Sequence, residues 1–228
     1  MATNIINLSN LDGNNGFRLD GTAANDFSGI SVSDAGDVNG DGYTDVIVGA
    51  FFADTNGYDS GASYVVFGKA AGFDATMDLA SLDGNDGFRL DGLGGLFGVS
   101  VSSAGDVNGD GFADVITGAL FDGPSNGYAG SSYVVFGKAT GFTATLEVST
   151  LDGSDGFRLS GVGNGALGLS VSNAGDVNGD GFDDLIVSDI GADPNGETSG
   201  SSYVVFGKNS GFDATLDLSS LDGSNGFR

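Results

Sequence analysis

One phrase, written three times, decides what this chain can become. The block Asp-Val-Asn-Gly-Asp-Gly begins at Asp37, Asp106 and Asp176, spaced by 69 and 70 residues. Tyr-Val-Val-Phe-Gly-Lys begins at Tyr64, Tyr133 and Tyr203 with the same two spacings. Leu-Asp-Gly-x-x-Gly-Phe-Arg begins at Leu11, Leu82, Leu151 and Leu221, so three units are complete and the last block has a fourth copy. A period this regular means one supersecondary unit stacked on its own kind, because a single unit cannot bury its apolar face alone.

Each unit reads as four short strands. The first is the alternating stretch Gly29 to Ser33, repeated at Gly98 to Ser102 and Gly168 to Ser172. The second starts at Asp45, Asp114 and Asp184, the third at Ser63, Ser132 and Ser202, and the fourth is Gly16-Phe17-Arg18-Leu19 with its counterparts. β-Branched and aromatic residues between glycine-rich spacers favour strands. Only the segments near Leu79, Val148 and Leu218 could be helical turns, and they could equally be irregular. Four strands at a fixed period predict an all-β chain, a β-propeller of four-stranded antiparallel blades with three blades per chain. The expected units are an N-terminal segment over 1–26 carrying an extra outer strand, blade one over 27–92, blade two over 93–162, and blade three over 163–228 with a truncated outer strand. A calcium-loaded β-roll would need a nonapeptide period, which the sequence lacks.

The recurring phrase is also a candidate metal loop. In the first unit Asp37, Asn39, Asp41 and Asp45 supply side-chain oxygens at positions 1, 3, 5 and 9, Gly42 allows the turn, and the carbonyl of Tyr43 can point inward. The second unit offers Asp106, Asn108, Asp110, Phe112 and Asp114, and the third Asp176, Asn178, Asp180, Phe182 and Asp184. This is the opening of the EF-hand ligand pattern, with an Asp at position 9 in place of a distant Glu. Carboxylates converging at about 4 Å repel by roughly 4 kcal/mol per pair at an effective dielectric near 20. A divalent cation reverses that sign, and oxygen-only donors in a flexible loop select Ca²⁺. Three Ca²⁺ ions per chain are expected, with weak dissociation constants of ~10⁻⁴ to 10⁻³ M.

Charge points the same way. Asp and Glu number 31 against 7 Lys and Arg, a net −24, which opposes compaction unless cations intervene and repels nucleic acid. Three calcium ions would bring −24 to −18. Histidine and cysteine are absent, which removes disulfides, thiolate and imidazole metal sites, and every His-based catalytic pair. No apolar stretch approaches the ~18 residues of a membrane span, so no membrane insertion is expected, and Met1 to Asn7 shows no signal-peptide pattern.

With these residues in view, the chain resembles the FG-GAP repeat family, the calcium-bearing blades of integrin α-chain propellers and of large bacterial surface proteins. Phe97-Gly98, the loop from Asp106 to Asp114, and Gly118-Ala119 carry the resemblance best. Phe27-Ser28-Gly29 with Gly49-Ala50 is a less complete copy, and Leu167-Gly168 with Ser188-Asp189 departs further, which puts the small-residue packing of blade three in question. The resemblance implies a structural calcium in the loop between strands one and two, and ligand binding on the opposite face. It implies an extracellular or cell-surface module that is not an enzyme.

The remaining residues suggest no chemistry of their own. All seven basic residues occupy repeat positions (Arg18, Arg89, Arg158, Arg228, Lys69, Lys138 and Lys208), as expected of blade-edge charges or ion pairs. Phe17, Phe88, Phe157 and Phe227, with Phe67, Phe136 and Phe206, read as inter-blade core. Glu147 and Glu197 read as solvated surface rather than a glycosidase pair. The stretches Phe51–Tyr58, Leu120–Tyr128 and Ile190–Thr198 differ between units and are the candidates for contact with a protein or glycan ligand. Three blades are too few to close a ring of 4 to 8. A homo-oligomer, with a dimer closing a six-bladed ring, or further repeats of a longer chain would complete it. The alternatives are an accessory propeller of a hydrolase whose catalytic domain lies elsewhere, and a self-assembling propeller fragment.

Overall fold

The computed structural model describes residues 7–122, 129–163 and 165–228. Its strands, numbered in chain order, fall into three similar sheets and one detached pair. The first sheet runs β2 (Ser31–Gly36), β3 (Asp45–Ala50), β4 (Ala62–Val66) and β6 (Gly87–Asp91), all antiparallel, with β10 (Thr145–Glu147) parallel on its rim. The second repeats it with β7 (Phe97–Gly105), β8 (Asp114–Ala119), β9 (Ser131–Val135), β11 (Gly156–Ser160) and the parallel rim strand β15 (Thr215–Asp217). The third holds β12 (Leu167–Gly175), β13 (Asp184–Asp189), β14 (Ser201–Val205) and the short β16 (Gly226–Phe227). The pair is β1 (Arg18–Asp20) with β5 (Thr76–Asp78), again parallel.

These are open propeller-type blades, and the four antiparallel strands per unit match the sequence reading. A fifth strand does not. The second and third Thr-x-Asp/Glu triplets leave their own units to line the rim of the preceding sheet, pairing at Arg89↔Thr145 and Arg158↔Thr215, and the first pairs with β1 at Arg18↔Thr76. The segments after these triplets, ambiguous in sequence, are single 3₁₀ turns at Leu79–Ser81, Val148–Thr150 and Leu218–Ser220. Asp78 and Asp217 cap theirs, accepting from Ala80 N–H and Ser219 N–H.

Inner strands β3 and β8 read as continuous apolar runs because both faces are covered. Ile47 and Val65 share a core with Phe97, Val101 and Val115 of the next blade. Ile116, Val134 and Val107 share one with Val171, Val187 and Leu167. Glycine sets the blade spacing. A Cβ on Gly49 would sit 2.0 Å from the Gly98 carbonyl oxygen, and one on Gly118 would sit 1.9 Å from that of Gly168. The third blade has Ser188 at this position, and it exchanges hydrogen bonds with Ser170 (2.9 and 3.2 Å) on its own sheet. Beside it, Asp189 replaces Ala50 and Ala119. It is fully buried, and Oδ1 accepts from Ala166 N–H and Gly191 N–H while Oδ2 has no partner among the described residues.

Candidate metal centre

The three acidic loops leave the sheets at equivalent bulges. The register shifts between Asp34 and Gly36, Ser103 and Gly105, and Asn173 and Gly175, with the glycines at φ of 75°, 76° and 69°. A bulge with a left-handed glycine re-aims the chain. Here it turns the strand out of the sheet and into the loop.

Within loop one the backbone wraps its own side chains. Asp41 N–H donates to Asp37 Oδ1 (3.0 Å) and Asn39 Oδ1 (2.9 Å), so both oxygens lie beside one nitrogen. Gly42 N–H reaches Asp37 Oδ2 (2.9 Å) and Tyr43 N–H reaches Asp41 Oδ1 (2.9 Å). Loop two repeats the pattern through Asp106, Asn108 and Asp110, and loop three through Asp176, Asn178 and Asp180. Three oxygen-bearing side chains per loop are thereby gathered on an exposed turn. Each carboxylate oxygen keeps acceptor capacity beyond its N–H bond.

The position-9 aspartates behave differently. Asp45, Asp114 and Asp184 are fully buried. Asp45 accepts from Val38 N–H (2.9 Å) and Gly68 N–H (2.8 Å), Asp114 from Val107 and Gly137, and Asp184 from Val177 and Gly207. Each therefore ties the loop entrance to the end of the third strand. Burial pushes the Asp45 carboxyl up to about 6 and Asp114 up to about 8, against the two backbone N–H bonds that favour the charged form. Among the described residues no three Asp, Glu, His or Cys side chains gather as a metal-ligating group. The structure brings together positions 1, 3 and 5 with the backbone of Tyr43, Phe112 and Phe182, and it turns position 9 inward.

This donor set fits a hard cation. It is all oxygen, and six of the protein's seven basic side chains are engaged elsewhere. Arg18 and Arg89 pair with Asp20 and Asp91, and Arg158 lies 3.4 Å from Asp122. Lys69, Lys138 and Lys208 each sit 4.9 Å over the rings of Phe73, Phe142 and Phe212. Three of the four arginines form the ion pairs read from the sequence, while the lysines make cation–π contacts. Those three phenylalanines were missed, although the Gly-Phe-x-Ala-Thr phrase that carries them also recurs. Phe142 stacks on Phe88 and Phe212 on Phe157, each at 4.2 Å and 3°, and Phe73 stacks on Phe17 at 4.0 Å. Phe227, expected in the core, is 44% exposed against Phe206.

Successive loops touch. Ala113 N–H donates to Asp37 O (3.1 Å) and Lys138 N–H to Val38 O (2.9 Å). Asp183 and Lys208 repeat both bonds to Asp106 and Val107. The Phe112 ring covers Gly40 and the Phe182 ring covers Gly109, where an added Cβ would meet ring carbons at 2.3 Å in both cases.

The opposite end of the blades varies. Tyr64 shares a hydrogen bond with Thr22, which donates to Asp26, whereas Tyr133 donates to Asp122. Glu147, expected to be solvated, accepts from Asn56 of the 51–58 loop, while Glu197 is exposed. Most of Leu120–Tyr128 (123–128) lies outside the described residues.

Stacked four-stranded sheets with an acidic turn between strands one and two define a β-propeller repeat protein. The FG-GAP repeat model matches residues 30–66 and 97–135, and the chain carries FG-GAP repeats. It is similar to integrin alpha-PS5 of Drosophila melanogaster, 33% identical over 179 residues that cover 76% of this chain and 16% of that protein. Integrin alpha-7 of Rattus norvegicus is 30% identical over 154 residues (68% and 12%), and integrin alpha-V of Gallus gallus 31% over 172 residues (73% and 15%). The chain thus spans about one sixth or less of the length of the curated relatives it matches.

Proposed function

We propose that this chain is a calcium-stabilised, non-catalytic adhesion module that works outside the cell or at its surface. The observation that carries the reading is the threefold loop, in which two aspartates and an asparagine converge with no basic side chain of the described residues neutralising them. Asp37, Asn39, Asp41 and the Tyr43 carbonyl would hold one Ca²⁺, with the corresponding residues of the other loops holding two more. The ion supplies a positive centre that offsets carboxylate repulsion and stiffens the turn. Asp45, Asp114 and Asp184 act from behind, fixing the loop entrance. The blades are taken as units over 27–92, 93–162 and 163–228, and a second copy or further repeats complete the ring. Contact with a protein or glycan falls to the variable loops at the other end.

Calorimetric calcium titration tests this. The wild-type chain should bind three ions, and D41N, D110N and D180N should each lose one. A chain that binds no calcium, or whose stability is indifferent to EDTA, refutes the reading.

A further inference from the structure

Neighbouring acidic loops share working parts. Position 8 of each following loop, Ala113 or Asp183, donates its N–H to the position-1 carbonyl of the loop before it, Asp37 or Asp106. That donor lies between two residues of its own candidate site. At position 7 Phe112 and Phe182 offer the ion their carbonyls, and at position 9 Asp114 and Asp184 brace the loop entrance. The position-7 ring meanwhile lies over Gly40 or Gly109, position 4 of the loop before. A following loop therefore grips its predecessor with a donor and a ring that its own ion would fix. Both junctions lie inside the chain and use neither flank.

The second junction has one part that the first lacks. Asp183 stands where the first has Ala113, and its Oδ2 accepts from Asp106 N–H (2.9 Å). Asp106 is thus held at its N–H by the Asp183 side chain and at its carbonyl by the Asp183 backbone. The approach is close, since a Cβ on Gly105 would sit 2.2 Å from Asp183 Oδ2. Ala113 offers Asp37 no such acceptor. Among the described residues no backbone hydrogen bond joins loop one to loop three.

We propose that calcium uptake is coupled between neighbouring loops, an ion in one raising the affinity of the next, and more strongly between loops two and three. This rests on the calcium reading. An ion that orders loop three fixes the Phe182 ring and both Asp183 contacts, so loop two loses less freedom when its own ion arrives. Linkage makes the effect mutual. Charge opposes it, because a filled loop attracts the neighbouring ion less than an empty one does. Salt weakens that opposition, with a screening length of about 8 Å at physiological ionic strength, and leaves the hydrogen bonds and ring contacts in place.

Gly42, Gly111 and Gly181 each donate to the position-1 aspartate of their own loop (2.9, 2.9 and 3.0 Å), so their amide resonances report the loops separately. The experiment is a calcium titration of the full chain at physiological salt, followed at these amides by nuclear magnetic resonance. D41N and D180N change exposed side chains and empty loop one or loop three. The calcium that half-fills loop two, read at Gly111, should rise about fivefold in D180N and by a smaller factor in D41N. Adding D183A to each variant should make the two factors equal. In D41N calcium should still slow deuterium exchange of the Gly42 N–H, because the filled loop two holds loop one. Unchanged half-filling at Gly111 in both variants overturns the coupling and spares the calcium reading. Tighter binding in either variant means that charge prevails, and it overturns the coupling too. Equal factors before D183A is added strike out the part given to Asp183. If none of the three amides responds to calcium, both readings fall.

Discussion

Loops two and three share the sequence Asp-Val-Asn-Gly-Asp-Gly-Phe and the same internal hydrogen bonds, yet they occupy different surroundings. Loop two is roofed by the ring of Phe182, and its Val107 is fully buried. Loop three has no such roof among the described residues, and its Val177 is half exposed. The shape of the turn therefore comes from its own residues, whereas its burial comes from the following blade. Equivalent substitutions in the two loops should separate the two contributions.

The largest difference should appear at the buried position-9 carboxylates. D114A strips two buried N–H groups, at Val107 and Gly137, of their acceptor, and an unsatisfied buried group costs about 1–3 kcal/mol. A loss of about 4 kcal/mol is expected by urea unfolding. D184A removes the same pair of bonds, but water reaches Val177, so about 2 kcal/mol is expected. Equal losses would mean that the following blade contributes nothing to loop two. G109A and G179A come next. Both glycines have φ near 75°, so each alanine incurs about 1 kcal/mol of backbone strain. Only G109A also pushes a Cβ into the Phe182 ring, and its total should reach about 2–3 kcal/mol.

Calcium removal sharpens the contrast further. A site with tenfold excess ligand stabilises by about 1.4 kcal/mol, so EDTA should cost roughly that per loop. Deuterium exchange should then open loop three before loop two, and simultaneous opening would contradict the roofing argument. The smallest effect is a control. K138M and K208M each remove a cation–π contact of the same 4.9 Å geometry, and each should cost about 0.5 kcal/mol. Unequal losses would show that blade three is loosened throughout, not only at its exposed rear.

How much of this could be read in advance depended on range. The strands, bulge-flanked loops and stacking of units follow from local patterns, since β3 and β8 are apolar runs between glycine turns. The convergence of Asp37, Asn39 and Asp41 is equally local. The inward turn of Asp45 was not legible, because Gly68 N–H lies 23 residues downstream and nothing at position 9 distinguishes a ligand from a brace. Strand β10 was missed for a related reason. Thr145–Glu147 is only three residues long, its alternation with Phe142 to Val148 went unread, and its partner Arg89 belongs to an earlier unit. The stacked pair Phe88–Phe142 did leave a signal, since both rings sit in recurring phrases, but only one phrase was read as core.

The rim strands bear on how the chain is made. The sheet begun at Ser31 is not sealed until Thr145–Glu147 arrives, by which point the three inner strands of the following sheet have already left the ribosome. Folding during synthesis must then overlap from one sheet to the next, with β6 waiting as a bare edge that can pair wrongly. Cutting a gene of this kind at residue 92 would therefore release a sheet without its selvage, and such a fragment should aggregate where the whole chain stays soluble.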